Sequence, residues 1–510
     1  MMLAVSPASS FSIVLPNEQA TRRLAADVAS VLKPGDLVTL SGDLGAGKTA
    51  FARALIRHLA GDEALDVPSP TFTLVQSYAL PRFTVVHADL YRVTHAGELA
   101  ELGVDEAAEN AVVLLEWPDR AAEVLPADRL DIAFTLAPNL GPNQRNAEIT
   151  GHGGFAPRIE RLAAIRHFLI QEGMAGEPRT HVQGDASTRA YERLTHQGQK
   201  YILMNAPRRP DGPPVRGGLP YSAIAHLAED VKPFVAMARA LRERGLSAPQ
   251  IHAADLNEGL VLLEDLGTEG VVEGDPPAPI EERYAAAVEV LVALHRQPVA
   301  ATLTVAPGVE YRVPPYDIDA FLIEAELLLD WYIPHRDGFV PAAARSEFTA
   351  LWREALSHAY DQPATWVLRD YHSPNLLWLP EREGIARVGI LDFQDALMGP
   401  APFDLVSILQ DHRVDVPDSL EIALLGRYVK ARLDADTDFP TSAFVELYVT
   451  LGALRATKNL GIFARLDQRD GKPQYLRHIP RLWRHLRRAL IHPAMDELKA
   501  WYDAHVPPPQ

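Results

Sequence analysis

The chain has 510 residues, is 47% apolar and 23% charged, contains no cysteine and carries a formal net charge of −18 at pH 7. That length favours roughly two to four domains, the missing thiols exclude disulfides and thiolate metal sites, and the acidic balance argues against a surface that coats nucleic acid. The opening Met1-Met2-Leu3-Ala4-Val5-Ser6-Pro7 lacks a basic region followed by an apolar run, and no uncharged apolar stretch reaches the about 18 residues of a membrane span, so a cytoplasmic chain with no signal peptide is expected.

In chain order, Asn17 can cap a helix from about Glu18 to Leu32, with Leu24, Val28, Val31 and Leu32 on one face. Lys33-Pro34-Gly35-Asp36 ends it and turns into a short strand, Leu37 to Leu40. The strand runs into Ser41-Gly42-Asp43-Leu44-Gly45-Ala46-Gly47-Lys48-Thr49, and a helical pattern continues to about Ala60. Gly-x4-Gly-Lys-Thr between strand and helix is a phosphate-cradling loop. Amides of Gly42, Asp43, Gly45, Ala46 and Gly47 would line a triphosphate, helped by the helix N-terminus. Lys48 would reach the β- and γ-phosphates of ATP, and the Thr49 hydroxyl would bind Mg²⁺. The alternative, a chance glycine-rich turn, does not account for the strand and helix on either side.

Val67-Pro68-Ser69-Pro70-Thr71-Phe72-Thr73-Leu74-Val75 is held extended by its prolines. Its hydroxyls either face a phosphate or simply open the next strand. Phe83 to Arg92 reads as a buried strand ending in Asp89, and Ala111 to Pro118 as another ending in Glu116. Beside a triphosphate, Asp89 can hold Mg²⁺ or its waters, and Glu116 can hold Mg²⁺ or orient the attacking water. His87 with Asp89 as a separate metal pair is the weaker alternative. Glu98, Glu101, Asp105, Glu106 and Glu109 form an acidic helical segment best read as a solvated face.

Taken together, Ser41 to Thr49, Ser69 to Val75, His87 to Arg92 and Leu115-Glu116-Trp117-Pro118 resemble the TsaE (YjeE) family of bacterial ATPase subunits in tRNA threonylcarbamoyladenosine synthesis. The resemblance covers about the first 155 residues. It implies a small parallel-sheet P-loop domain and a weak ATPase. It also implies partner subunits of the TsaB and TsaD type, with tRNA, modified at adenosine 37, engaged only indirectly. By position it implies that Lys48 and Thr49 bind phosphate and Mg²⁺, that Glu116 helps to hold the metal, that Asp89 lies beside the site and that Thr71 senses the γ-phosphate.

Turn-rich residues Pro138 to Gln144 precede a short strand, Ala147 to Thr150, and Gly151-His152-Gly153-Gly154 breaks the sheet. Arg158 to Glu172 is helical, and the domain boundary is expected at 158/159. No second Gly-x4-Gly-Lys-Ser/Thr follows.

The second half centres on Trp366-Val367-Leu368-Arg369-Asp370-Tyr371-His372-Ser373-Pro374-Asn375 and on Val388-Gly389-Ile390-Leu391-Asp392-Phe393. An Asp, an Asn five positions on, and an Asp closing the next apolar strand are what a kinase-type site needs. Asp370 would accept the proton of the acceptor hydroxyl, and Asn375 and Asp392 would hold Mg²⁺ against the triphosphate. Alone, Asp-x4-Asn is a weak signal; the strand ending in Asp392 strengthens it. Upstream, Gln183 to Leu194 followed by the strand Lys200 to Asn205 is a candidate phosphate-covering hairpin. Leu260 to Gly267, including Glu264, is a candidate adenine-contacting hinge or a plain core strand. Residues 205–220 hold five prolines and three glycines and form a loop. Trp331, Tyr332 and Trp366 either stack on a sugar or fill the core.

These residues resemble the aminoglycoside phosphotransferase superfamily, whose fold is protein-kinase-like. Within it, Gly184 to Tyr191, Ile202 to Pro207 and Lys458 to Leu466 are similar to the N-acetylmuramate/N-acetylglucosamine anomeric kinases (AmgK). That resemblance covers about residues 160 to 500 and implies phosphorylation of an amino sugar at its anomeric hydroxyl, in peptidoglycan recycling. It also places Asp404 as structural. The sequence departs from the superfamily where Leu368 replaces a His and where Leu203-Met204-Asn205 lacks the ATP-gripping Lys. Lys200 stands too early in the strand; Arg189 or Arg193 is left to supply that charge. An antibiotic-modifying kinase and a non-catalytic pseudokinase are the alternatives. The expected architecture is an α/β P-loop NTPase domain over 1–158, then an α+β protein-kinase-like two-lobed domain over 159–510. Its small lobe spans about 159–268 and its helical large lobe about 269–510.

Overall fold

A computed structural model of the chain describes residues 8–93, 109–137, 141, 143–182, 189–209 and 211–509. Glu98, Glu101, Asp105 and Glu106, the turn at 138–140 and the Gln183–Thr188 part of the candidate hairpin lie outside the described residues. The chain clusters into two compact units, one of residues 1–182 with 192–199, the other of 183–191 with 200–510.

The first unit is built on a seven-stranded sheet. Its strands are β1 (Ala8–Leu15), β2 (Leu37–Ser41), β3 (Val75–Ala79), β4 (Thr84–Asp89), β5 (Ala111–Glu116), β6 (Arg129–Leu136) and β7 (Arg145–His152), in the spatial order β1-β7-β6-β2-β5-β4-β3. The four central strands β6, β2, β5 and β4 are parallel, and the three outer ones pair antiparallel. The sheet is therefore mixed rather than all-parallel. Strand β5 is buried along its whole length, as a strand covered on both faces must be. Helix α1 (Glu18–Val31) is capped by Asn17, whose side chain accepts the Ala20 N–H at 3.0 Å. Helix α2 (Lys48–Ala60) follows the glycine loop directly and ends at Gly61. In parallel register Leu40 faces Glu116 and Asp89 faces Glu116, so the ends of β2, β5 and β4 come together. That switch point is where open α/β sheets bind ligands.

The helix Ala156–Gln171 packs on β1 and β7 and buries Ile159, Leu162, Ile165 and Phe168. This burial carries the first compact unit past the expected division at 158/159, through residue 182.

In the second unit, Leu260–Glu264 lies antiparallel between Gln199–Asn205 and Ile251–Asp255. The helices Lys232–Glu243 and Glu281–His295 have buried apolar faces and belong to one hydrophobic core with the helical part. That part is organised by a 30-residue helix, Thr441–Asp470. The helix passes Leu327 so closely that a Cβ on Gly461 would lie 2.3 Å from the Leu327 carbonyl carbon. Backbone cannot move aside as a side chain can. Gly461→Ala is expected to lower the unfolding free energy by about 3 kcal/mol, read as a fall in the urea midpoint at unchanged slope. No helix among the described residues is long and apolar enough to cross a membrane.

Candidate active sites

The first site is the glycine loop. Gly42, Gly45 and Gly47 all have positive φ, at 130°, 77° and 114°. At Gly42 a Cβ would lie 2.2 Å from the Phe134 carbonyl oxygen of β6, so glycine is required by both conformation and space. Lys48 is buried, and its ammonium donates to the carbonyls of Gly42 and Asp43 at 2.6 and 2.9 Å. It also lies 3.7 Å from the centroid of the Trp117 ring. Burial lowers its pKa, and Glu116, Asp89 and Asp43 oppose the shift. An ammonium has three N–H groups, so one remains for a phosphate oxygen.

Thr49 donates its hydroxyl to Glu116 Oε2 at 2.9 Å, and the other Glu116 oxygen meets His87 Nε2 at 2.9 Å. Glu116 is 1% exposed and His87 fully buried. His87 thus orients Glu116, as outer partners of metal-binding groups do. Asp89 accepts the Thr71 hydroxyl at 3.0 Å, the Ser69 hydroxyl at 3.3 Å and the Tyr91 N–H at 3.0 Å. The expected extended segment instead turns at Pro70–Leu74, where the Leu74 N–H donates to the Pro70 carbonyl at 2.6 Å and Leu74 is left-handed at φ 61°, and the turn brings the Ser69 and Thr71 hydroxyls to the strand-end carboxylate. Thr49, Glu116 and Asp89 are all hard oxygen donors, which suits Mg²⁺; that ion takes one or two carboxylates and completes its shell with water and phosphate oxygens. No group of three His, Asp or Glu among the described residues is placed to hold a metal by itself, which leaves the separate His87–Asp89 pair unsupported. Sequence reasoning missed Trp117 as the partner of Lys48. The signal was its place between Glu116 and Pro118.

The second site lies on a loop between the strand Thr365–Val367 and the hairpin Leu376–Trp378/Val388–Ile390. Leu376 faces Ile390 in that hairpin, and the Leu391 N–H donates to the Asn375 carbonyl at 2.9 Å. Asn375 and Asp392 therefore leave the same end of one ladder. The Asn375 side-chain amide donates to the Asp370 carbonyl at 2.9 Å, which brings Asp370 to the same place. Phe393 is buried and stacks on Phe234, with ring centroids 4.9 Å apart, which anchors Asp392 in a left-handed conformation at φ 56°.

The carboxylates of Asp370 and Asp392 stay partly open, at 43% and 38% exposure. Desolvation raises the pKa of Asp370, but His372, Lys458, Arg369 and Arg455 outweigh it and hold the carboxyl below its ordinary value. Burial pushes His372 itself down to about 4, so at neutral pH the lysine and arginines carry this effect. Asp392 is raised, by burial first and then by repulsion from Asp370; Arg189 and Gln394 offset part of it. A carboxylate raised by a second one nearby, beside a carboxamide, is a fitting place for Mg²⁺. Arg189 reaches Asp392 Oδ1 at 3.3 Å.

Buried carboxylates fix the loop from behind. Asp404 accepts the N–H groups of Leu368 at 2.7 Å and Arg369 at 3.0 Å. Asp411 accepts both the N–H and the hydroxyl of Ser373, at 3.0 and 2.6 Å. Glu324 is fully buried and takes Arg369, the Tyr316 hydroxyl at 2.5 Å and Lys458 at 2.7 Å. Asp404 is structural, as its position implied; Asp411 and Glu324 were not anticipated. Asp404→Ala should leave two buried N–H groups without acceptors, costing about 2–4 kcal/mol, and should lower kcat more than it raises KM for ATP. Burial lifts the Asp404 carboxyl to about 7 against the pull of the two N–H groups. A raised folded-state value means that its stabilising contribution is full below the ordinary 3.8 and is lost as pH rises through about 7. Asp404→Asn should flatten that slope in a denaturation series.

Other expected residues are placed differently. The Glu264 N–H is given to the Gln250 carbonyl at 2.9 Å, and its carboxylate pairs with Arg242 at 3.3 Å and with Arg382. Its side chain is thus an anchor between elements, and only its carbonyl and the following turn are left for an adenine. Trp366 donates to the Ala300 carbonyl at 2.8 Å and Tyr332 to the Pro507 carbonyl at 3.1 Å; both are buried and belong to the core. Lys200 is exposed on its hairpin.

Two family models match the chain: threonylcarbamoyl adenosine biosynthesis protein TsaE over residues 15–145, and the phosphotransferase enzyme family over residues 179–448. The N-acetylmuramate/N-acetylglucosamine kinase of Caulobacter vibrioides is 42% identical over 361 residues, which is 68% of this chain and 97% of that protein. Its counterpart in Pseudomonas aeruginosa is 32% identical over 346 residues, 66% of this chain and 92% of that protein. The tRNA threonylcarbamoyladenosine biosynthesis protein TsaE of Rickettsia felis is 38% identical over 152 residues, 30% of this chain and 86% of that protein.

Proposed function

The chain belongs to the phosphotransferase enzyme family and carries a TsaE domain ahead of it, and on that premise we propose that it is bifunctional. The second unit is an ATP-dependent kinase that phosphorylates the anomeric hydroxyl of N-acetylmuramate and N-acetylglucosamine in cell-wall recycling. The first unit is an ATPase that supports threonylcarbamoylation of tRNA at position 37, together with partner subunits of the TsaB and TsaD type and without contacting tRNA itself. The observation that carries the kinase reading is the meeting of Asp370, Asn375 and Asp392 at one end of a six-residue hairpin ladder.

Asp370, ionised, accepts the proton as the anomeric oxygen attacks the γ-phosphorus; the bond to the ADP oxygen breaks, and ADP leaves with its electron pair. An anomeric hydroxyl is more acidic than an ordinary alcohol, which suits a carboxylate base. Asn375 and Asp392 would hold Mg²⁺, which when bound neutralises charge on the triphosphate. Asp404 and Asp411 keep the Asp370 loop in position, and Arg189 restrains Asp392. In the first unit, Lys48 and the loop amides bind triphosphate, Thr49 and Glu116 would hold Mg²⁺, Asp89 keeps Thr71 near the γ-phosphate, and His87 fixes the Glu116 carboxylate.

ATP consumption and sugar-phosphate formation with N-acetylmuramate, N-acetylglucosamine and an aminoglycoside test this reading. Turnover of the two amino sugars, and none of the aminoglycoside, is expected; turnover of the aminoglycoside alone would overturn the assignment.

A further inference from the structure

The small lobe's phosphate-gripping cation is missing from the strand that should carry it, because Gln199–Asn205 ends Leu203-Met204-Asn205. At that strand end a cavity of about 340 Å³ opens, lined in part by Arg189, Pro207, Arg208, Arg209, Glu229 and Asp230. Arg189 enters from just before the strand Ala190–His196, and its side chain is 14% exposed beside Asp392. Arg209 enters from four residues past Asn205, with its backbone N–H held by the Glu229 carbonyl at 3.4 Å. Burial and then the nearby Arg189 push the Arg209 pKa down, while Asp395 opposes the shift. Asp395 is itself engaged by the Ala228 N–H at 2.6 Å. Arg208 and Arg209 are both exposed, and Arg208, at 72%, stands 3.9 Å from Glu229.

Two guanidinium groups drawn to one wall repel unless an anion lies between them. We propose that Arg189 and Arg209 form a two-guanidinium clamp on the phosphates of the nucleotide, supplying from both sides of the hairpin the charge that one lysine supplies elsewhere in the superfamily. The inference rests on the kinase reading and names the phosphate-binding groups of that site. Guanidinium forks suit phosphate oxygens better than an ammonium does, because each can donate two parallel N–H bonds. Arg189 also spans from the clamp to Asp392, so phosphate and metal-binding carboxylate are set at a fixed distance. The competing anion is the carboxylate of N-acetylmuramate, a group that N-acetylglucosamine lacks.

The test uses the full chain carrying Lys48→Ala, so that the first phosphate loop does not contribute, and titrates ADP with Mg²⁺ calorimetrically. Arg209→Gln should weaken ADP binding about 10-fold, as expected for one lost charge-assisted contact, Arg189→Gln at least as much, and Arg209→Lys should recover part of the loss. In sugar-phosphate assays KM for ATP should rise equally with both sugars while KM for each sugar stays put. Unchanged ADP affinity in Arg209→Gln, or a KM increase confined to N-acetylmuramate, would overturn the clamp. Failure of the unaltered chain to make any sugar phosphate would instead sink the kinase reading, and the ADP titration would still judge the two arginines.

Discussion

Asp370→Asn should lower kcat for sugar phosphorylation by about 10³, within the range by which a positioned general base accelerates proton transfer, while KM for ATP and for sugar change little. The substitution keeps size and shape. The loop is held by main-chain contacts that asparagine retains: the Asp370 carbonyl still accepts from Asn375, and Asp404 still holds Leu368 and Arg369. Only the acceptor of the proton is lost. A matching pH profile is expected from the unaltered chain. The surrounding cations depress Asp370 below 3.8, and a base works only when ionised. The acid limb that belongs to Asp370 should therefore fall below that value, an acid limb above it belongs to the raised Asp392 carboxyl, and the rate should be flat across the neutral range. A rate that climbs through neutrality would assign the proton to another group. A loss of kcat under tenfold in Asp370→Asn would remove Asp370 from the chemistry.

Lys48→Ala should weaken ATP binding at the glycine loop by about 10- to 100-fold, the equivalent of the one charge-assisted hydrogen bond its remaining N–H can make, at about 1.5–3 kcal/mol, and should abolish ATP hydrolysis by the first unit. Sugar phosphorylation should continue, because its phosphates are gripped by other residues. The check is ATP hydrolysis without sugar beside sugar-phosphate formation in the same preparation. Loss of both activities together would mean that the two nucleotide pockets are not independent. Glu116→Ala separates turnover from switching. It removes the partner of Thr49 and His87, so hydrolysis should fall. If tRNA modification persisted with partner subunits present, ATP would act as a signal whose hydrolysis is incidental.

Much of this is legible in the sequence, for a physical reason. The glycine loop and the Asp370–Asn375 loop are local: covalent spacing alone sets Lys48 and Thr49 at the start of a helix, and Asn375 within reach of Asp370. Asp89 and Glu116 are readable because each closes a buried apolar run, and parallel register then brings such ends together. What escapes depends on tertiary register. Asp404 lies 36 residues from Leu368, Asp411 lies 38 from Ser373, and Glu324 lies 45 from Arg369. A buried acid at such a distance looks like any helix or loop residue until the core closes around it. Glu264 misleads for the same reason: a strand-end glutamate does not reveal that Arg242 and Arg382 arrive from elsewhere. His87 can pass for a metal ligand in sequence, whereas its neighbour across the sheet makes it a brace.

The hairpin Leu376–Trp378/Val388–Ile390 has three residues on each side, and that brevity has a consequence for variation among relatives. Residues 379–387 close it at the end away from Asn375 and Asp392, so insertions there lengthen a tip and leave both of those side chains where they are. A single residue gained or lost inside either arm would instead turn one of those two side chains to the opposite face of the ladder. Length polymorphism should therefore vanish from the arms, and because Arg382 is tied to Glu264 and the Ala386 carbonyl to the Ser247 hydroxyl, a reporter belongs at the exposed Glu383–Gly384 of the tip.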